Sequence, residues 1–397
     1  MAVRSPAARR QVIAVSVLSL AGSGCGSDDV CPKDHFRDRE AACRAPVQQV
    51  ATGAHHSCTL HADGKVWCWG LGEALDGSGG HVVKPQLMSG VEDAHSLAAG
   101  AYVTCAIVGS QSNVRCWGNQ QQWVTLADGS PLSGASAIAV GDGFACATTD
   151  AGGFCWGSNA GGQLARPLEL ASSSVALANV VGPQGALGAG TAVLSWSERG
   201  ELCGWGDNGS QLIAPAGDVF SLTEPVCTEL LEVRQLAVGS VHACVRQADG
   251  EVICWGEQYY GQLGAASGPD ERADVAPFGH AAAFAAPALD LAAGASHTCA
   301  LLADGSVACC GLNESGQTGT SRNAPSDEQI RTPTTVRGLS PGVVRLGAGS
   351  SAQHTCAIVD GGKAVEYWGK NHAGQLGNGV SSLDEARFSA APLRVAF

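Results

Sequence analysis

Apolar and polar positions alternate with a period near two along much of the chain, and the clearest instance lies between Gly239 and Gly264. Val241 to Gln247 carries the alternation of a strand, and Glu251 to Trp255 carries it again. Between them Ala248-Asp249-Gly250 supplies a tight turn, with glycine free to take positive φ. Cys244 and Cys254 stand equally far from Asp249. A hairpin about that turn places them directly opposite each other. Antiparallel partners in a non-hydrogen-bonded pair approach to about 4.5–5.5 Å between Cα atoms, within disulfide range. The stretch is therefore expected to be a stapled hairpin followed by a glycine-bracketed loop.

The same unit recurs. Its return strands end at Trp69-Gly70, Trp117-Gly118, Trp156-Gly157, Trp205-Gly206, Trp255-Gly256, Cys310-Gly311 and Trp368-Gly369. Each is preceded by a strand of small residues closing on a glycine: Gly53, Gly100, Gly141, Gly190, Gly239, Gly294 and Gly349. Copies of this length suit four-stranded propeller blades better than helical solenoids.

The consensus GxxHxCxLxxDGxVxCWGxNxxGQLG resembles the regulator-of-chromosome-condensation repeat. The best matches are Gly294 to Gly311 and Tyr367 to Gly377. The resemblance covers roughly residues 47–397 and implies an all-β fold: a seven-bladed β-propeller of four-stranded antiparallel blades, its ring closed by N- and C-terminal strands. It identifies a fold better than a function.

Composition narrows the function. Apolar residues make up 45% of the chain and charged residues 15%, enough for a large core. The 54 glycines fit turn-rich β structure. Net charge is −13; without Arg4, Arg9 and Arg10, expected to be removed, 20 basic against 36 acidic residues remain, or −16. Binding to nucleic acid rests on phosphate neutralisation by Lys and Arg, and this balance argues against it. Seventeen cysteines spaced across hairpins imply an oxidising compartment, and no CxxC knuckle supports a metal site.

In chain order, residues 1–24 read as an export signal: a basic start, then an apolar run from Val12 to Ala21 too short to span a bilayer. Gly22-Ser23-Gly24-Cys25 resembles a bacterial lipoprotein cleavage box, with Gly22 where Leu is preferred. Cys25 is thus the expected lipidation site, the plain alternative being secretion with a stray thiol. Residues 25–46 read as a polar tether, in which Cys31 and Cys43 could close a small loop. The propeller follows over 47–397. Expected hairpin bridges are Cys58–Cys68, Cys105–Cys116, Cys146–Cys155, Cys244–Cys254 and Cys299–Cys309, three of them centred on Asp63, Asp249 and Asp304. In the fourth unit Ser195 replaces the first cysteine, and Cys203 could instead pair with Cys227 on the next strand, a pairing the sequence leaves open; in the seventh, Tyr367 takes the second cysteine position, opposite Cys356. Cys310 and Cys356 are left either to pair between blades or to stay free.

The loop after Trp-Gly is kept at Gly261–Gly264, Gly316–Gly319 and Gly374–Gly377, and partly at Gly162-Gln163-Leu164 and Gln211-Leu212. Ala265–Pro287 and Thr320–Pro341 read as surface excursions on one face. The final segment Pro392–Phe397 is expected to pair in the same sheet as the hairpin Ser57–Trp69, closing the ring.

Candidate chemistry is weak. His56, His242, His297 and His354 recur two residues before a cysteine, but one per blade, with Val103 and Phe144 in their place in the second and third. A side chain bracing a turn explains them better than metal ligation. The Trp series, once per blade, reads as inter-blade packing, where each ring buries about 150–250 Å². His55, His56, Ser57 and Asp63 are close in sequence, yet no GxSxG, HExxH, P-loop or dinucleotide fingerprint is present. No catalytic, cofactor or metal residues are assigned.

The family's best-known activity, nucleotide exchange on a small nuclear GTPase, resides in a wedge insertion and loops that have no counterpart in this sequence. A secreted bacterial β-lactamase inhibitor with the same type of ring is the nearer analogue. The chain is expected to be an exported, lipid-anchored, monomeric propeller of the bacterial envelope, or a secreted one. It would bind a protein partner through its face loops, hold no cofactor, and meet membrane only through its anchor. A guanine-nucleotide exchange factor and an enzyme using the central depression are the rivals.

Overall fold

A computed structural model describes residues 31–397 except 33, 39–41, 76, 78, 119–121, 127, 169–171, 179–186, 197–199, 214–218, 230–231, 265–274, 321–327, 382–387 and 396. Cys25 and the export signal lie outside the described residues. Seven four-stranded antiparallel sheets follow one another as the blades of a ring. Each uses four consecutive strands, as blade 1 does with Val47–Thr52, His56–His61, Val66–Leu71 and His81–Leu87. The first of these lines the axis and the last is outermost. Inner strands run toward what we name the upper face. The turns after each inner strand and the loops between third and outer strands lie there. The Asp-Gly turns and the blade-to-blade connections lie on the lower face.

Burial follows from this order. The second and third strands are sandwiched between neighbouring blades and are almost wholly buried, as in His297–Leu302 and Val307–Leu312. Outer strands meet solvent on one side and read polar and apolar by turns. Five of them contain a proline: Pro85, Pro225, Pro277, Pro333 and Pro392. The ladder between third and outer strands shifts register at the third strand's Trp position, for example between Cys68 and Gly70, and the prolines fall in the gap this leaves. A residue with no N–H costs nothing where no ladder bond is made.

Ring closure departs from expectation. Phe388–Arg394 pairs with Ala364–Lys370, as the outer strand of blade 7, and blade 1 takes its own outer strand from His81–Leu87. The C-terminus therefore joins no sheet with Ser57–Trp69. From blade 2 onward an outer strand precedes each inner strand in sequence, but it bonds to the hairpin before it, because antiparallel neighbours joined by one loop pair most directly. The seam between blades 7 and 1 is closed by side chains and by the last residues. Phe397 stands edge-on to His61 and Trp69, with ring centroids 5.1 and 6.1 Å apart. The excursions Ala265–Pro287 and Thr320–Pro341 are likewise partly regular, since they contain the outer strands Val275–Ala281 and Gln329–Thr335.

Part of the segment ahead of the ring is folded onto it. Phe36–Arg37 and Cys43–Arg44 form a two-stranded ribbon, with Cys31 and Cys43 at disulfide distance. Arg44 reaches Asp38 at 2.5 Å and lies over the Trp67 ring at 4.4 Å.

Candidate functional site

The recurrent residues join blades to one another. In blade 6, the Gln262 carbonyl of the preceding blade's loop accepts from the Thr298 hydroxyl at 2.7 Å. That hydroxyl's oxygen is left to accept, and Nε2 of His242 lies 2.9 Å away. His242 therefore carries its proton on Nε2. Thr355 repeats this with Gln317 and His297, at 2.9 and 2.7 Å, and Ser57 with Gln375 and His354, at 2.9 and 2.7 Å. His56 meets Thr104 at 2.6 Å. The pattern is conditional on both partners. Where the next blade offers Ala145, Val193 or Ala243 in place of a hydroxyl, the histidine position holds Val103, Phe144 or Ala192. The histidines are thus clamps between blades, a longer reach than bracing their own turn.

The Trp series uses the same carbonyls. Trp69 Nε1 donates to Gln375, Trp205 to Gln163, Trp255 to Leu212 and Trp368 to Gln317, at 2.8–3.0 Å. Cys310, in a Trp slot, points its thiol at Gln262. In the fourth blade Leu212 fills the glutamine position, one residue after the sequence alignment put it. Ile213 N bonding to Asn208 Oδ1 fixes that register, as Leu376 N does to Asn371 Oδ1. The loop's final glycine is required by the indole: a Cβ on Gly377 would meet Trp69 Nε1 at 2.7 Å. At the inner strand ends, a Cβ on Gly239 would meet the His242 ring at 2.3 Å and the Gly294 carbonyl at 2.5 Å.

Cysteines of the hairpins face each other in register, Cys58 with Cys68, Cys105 with Cys116, Cys146 with Cys155, Cys244 with Cys254 and Cys299 with Cys309. Their sulfurs lie at disulfide distance with Cα atoms 4.0–4.1 Å apart. Cys203 meets Cys227 across the outer pair of blade 4 at the same separation, 4.0 Å. Cys310 and Cys356 are free and buried, and burial pushes the Cys310 thiol up to about 12 and Cys356 higher still.

His55, His56, Ser57 and Asp63 do not come together. Asp63 bonds Lys65 at 2.8 Å on the lower face. Ser57 has a histidine partner, His354 from the other end of the chain, but both are fully buried and the serine proton already goes to Gln375. That pair lacks the base orientation and the access that a nucleophile needs. Burial pushes His56 and His297 down to about 3, His242 to about 4, and His354 well below its ordinary range.

The axial cavity holds about 270 Å³ and is walled by the small and aliphatic residues of the inner strands, such as Ala98, Ile138, Ala237 and Ala292. Its lining includes neither carboxylate nor histidine among the described residues. Polar residues at its rim are spent between blades. Gln49 pairs with both backbone groups of Leu97, and Gln235 with those of Leu291. Asp290 accepts from Leu346 N and from Gln235, both at 2.7 Å, and burial raises its carboxyl.

What the framework leaves unused is the upper face. Tyr102, Leu168, Val219, Phe220, Tyr259 and Phe388 are exposed there, Phe220 to 75%, and only Leu87, Leu289 and Val344 are comparably exposed elsewhere among the described residues. A ring of seven four-stranded blades clamped in this way is a β-propeller. Its repeats match the regulator of chromosome condensation (RCC1) repeat at residues 47–74, 233–262 and 289–317, and a second model of that repeat at 249–301. The chain thus carries RCC1-type repeats on a seven-bladed propeller.

It is 29% identical over 381 residues to the ultraviolet-B receptor UVR8 of Arabidopsis thaliana, covering 88% of this chain and 82% of that one. It is 31% identical over 153 residues to the probable E3 ubiquitin-protein ligase HERC4 of Homo sapiens, where the match spans 14% of the ligase. Among solved structures it shares its fold with human WBSCR16, at TM-score 0.56 and 19% identity over 89% of this chain and 82% of that one. Yeast RCC1 (Prp20), solved with Kap60, gives 0.52 and 18% over 88% and 74%.

The signal not apparent from single repeats is the hydroxyl that four blades carry just before the hairpin cysteine, at Ser57, Thr104, Thr298 and Thr355. Its presence tracks a histidine in the previous repeat, and that coupling becomes visible only when repeats are compared in ring order.

Proposed function

We propose that the chain is a protein-binding module that captures its partner on the upper face of the propeller. The single observation that carries this is the division of labour in the ring. The repeat residues are consumed in clamps between blades, while six exposed large apolar side chains collect on one rim. Interface cores are enriched in aromatic residues, and exposed groups of this kind on a soluble ring mark contact surfaces. The receptor and ligase relatives are consistent with a regulatory or binding role for this kind of ring.

Export accompanies it. Seven cysteine pairs at disulfide distance suit an oxidising environment. Among the described residues no helix is long and apolar enough to cross a membrane. Cys25 is the proposed lipid attachment point, supported by the basic start, the short apolar run and the small residues before it. Crosslinking on intact cells with mass spectrometry tests the binding role. The wild type should capture one partner, and Phe220→Ser with Tyr259→Ser should lose it with an unchanged melting temperature. Capture that persists in the double variant would place the interface elsewhere. Cys25→Ser should move the protein out of the membrane fraction.

A further inference from the structure

A cluster of basic groups sits on the upper face where blades 7, 1 and 2 meet. His55 lies in the turn after blade 1's inner strand. His372 comes from the loop after blade 7's third strand, and the two rings meet edge to face at 4.8 Å. Tyr102, from the equivalent turn of blade 2, lies 5.3 Å from His55 and is 40% exposed. Lys370, at the end of blade 7's third strand, donates to Gln353 Oε1 at 2.7 Å. Nδ1 of His55 is enclosed and has no hydrogen-bond partner. His81, heading blade 1's outer strand, is close enough to act on His372 electrostatically.

The sign of this cluster stands out in a chain of net charge −13. Burial is the first thing that disfavours protonation of both imidazoles, and the charged groups acting on them work the same way: Lys370 on His55, and Lys370, His55 and His81 on His372. The buried His56 and His354 beneath them are neutral clamps. No carboxylate among the described residues is paired with Lys370, His55 or His372. A half-buried ammonium beside two neutral imidazoles, one with an unused nitrogen, is short of an anion.

We propose that Lys370, His55 and His372 form a subsite for a carboxylate on an acidic segment of the partner protein, with Tyr102 flanking it. Lys370 would supply the fixed charge, and each imidazole would become a donor by taking up a proton as the carboxylate enters. The proposal rests on the upper face being the binding face and names the chemistry recognised there. A protein partner is favoured over a free anion because the cluster borders exposed Tyr102 on an aromatic rim rather than lying in a closed pocket.

The test is fluorescence anisotropy of labelled hexaglutamate against the intact chain at low salt, with hexaglutamine as control. Hexaglutamate should bind and hexaglutamine should not. Lys370→Gln, which keeps the contact to Gln353 available, should weaken binding about fivefold, the size of one well-placed charge pair. His372→Gln should flatten the rise in affinity between pH 7.5 and 6 that proton uptake requires, a readout that a structural role would not move. Equal binding of the two peptides, or an unchanged affinity in Lys370→Gln, overturns the subsite. Inorganic phosphate that binds with the same Lys370 dependence while hexaglutamate does not would make this a phosphate site and overturn the carboxylate assignment. Partner capture on cells reads the face itself. A partner captured by the wild type and lost from the Phe220→Ser/Tyr259→Ser variant, with flat peptide titrations, sinks only the subsite, whereas capture that persists in that variant sinks the face.

Discussion

The Ser57 hydroxyl lies 2.7 Å from Nε2 of His354, across 297 residues of chain. It joins the first blade to the last by the clamp that joins blades 5 to 6 and 6 to 7, so the seam is closed as an ordinary junction. Ser57→Ala leaves the His354 N–H buried without an acceptor, which costs about 1–3 kcal/mol. His354→Phe copies the apolar junction that Phe144 makes between blades 3 and 4. The double variant should be more stable than the sum of the two singles predicts, by about 0.5–3 kcal/mol of coupling in a urea double-mutant cycle. Strict additivity would mean that the clamp contributes nothing to closure.

Acid should unfold the ring early. Burial holds three clamp histidines, His56, His242 and His297, at folded values of about 3 to 4 and the fourth, His354, well below its ordinary range, against 6.5 unfolded. Their folded values are depressed, so below pH 6.5 the unfolded chain takes up protons that the folded one refuses. Stability is full above that pH and falls as pH drops toward the folded values. Each group removes about 1.4 kcal/mol per pH unit in that window, and four remove about 5. The urea midpoint should hold from pH 8 to 7 and decline steeply from 6 to 4.5. A flat profile would show the histidines to be accessible.

Two glycines separate packing from backbone strain. Gly239→Ala drives a methyl into the His242 ring and the Gly294 carbonyl, and should cost about 3 kcal/mol. Gly305 has φ +82° and nothing within 4 Å of a Cβ, so Gly305→Ala should cost only the left-handed penalty, about 1–2 kcal/mol. Thermal melts should rank them in that order.

Non-reducing peptide mapping of the native protein should recover Cys203 with Cys227 as well as the five hairpin pairs. Cys310 and Cys356 should resist alkylation until the chain is unfolded, since each is fully buried and its thiol is held protonated. Labelling of either in the native protein would mean the blades open locally.

Removing residues 391–397 should destabilise the chain through blade 7. It shortens the outer strand Phe388–Arg394 and strips Val395 and Phe397 from the cluster around Val47, Trp69 and Tyr367. Loss of more than about 2 kcal/mol in denaturant midpoints is expected from that buried apolar area. An unchanged midpoint would show the seam to be held by the Ser57–His354 clamp and its neighbours alone.

The sequence by itself determined the blades. Period-two strands, Asp-Gly turns and cysteines equidistant from them are local features, and a hairpin's register follows from its turn, so Cys244 opposite Cys254 could be read directly. The repeat count and the Trp slots followed from the same periodicity. What only the tertiary structure decided are the relations between blades. The assignment of each outer strand to the preceding hairpin, the one-residue shift of Leu212, and the histidine-to-hydroxyl clamps all depend on which repeat lies beside which. Ring order sets those contacts, and they join residues about 50 or 300 positions apart. The basic cluster of His55, His372 and Lys370 belongs with them. Its members come from opposite ends of the chain, and each is unremarked in its own repeat until closure of the ring sets them side by side.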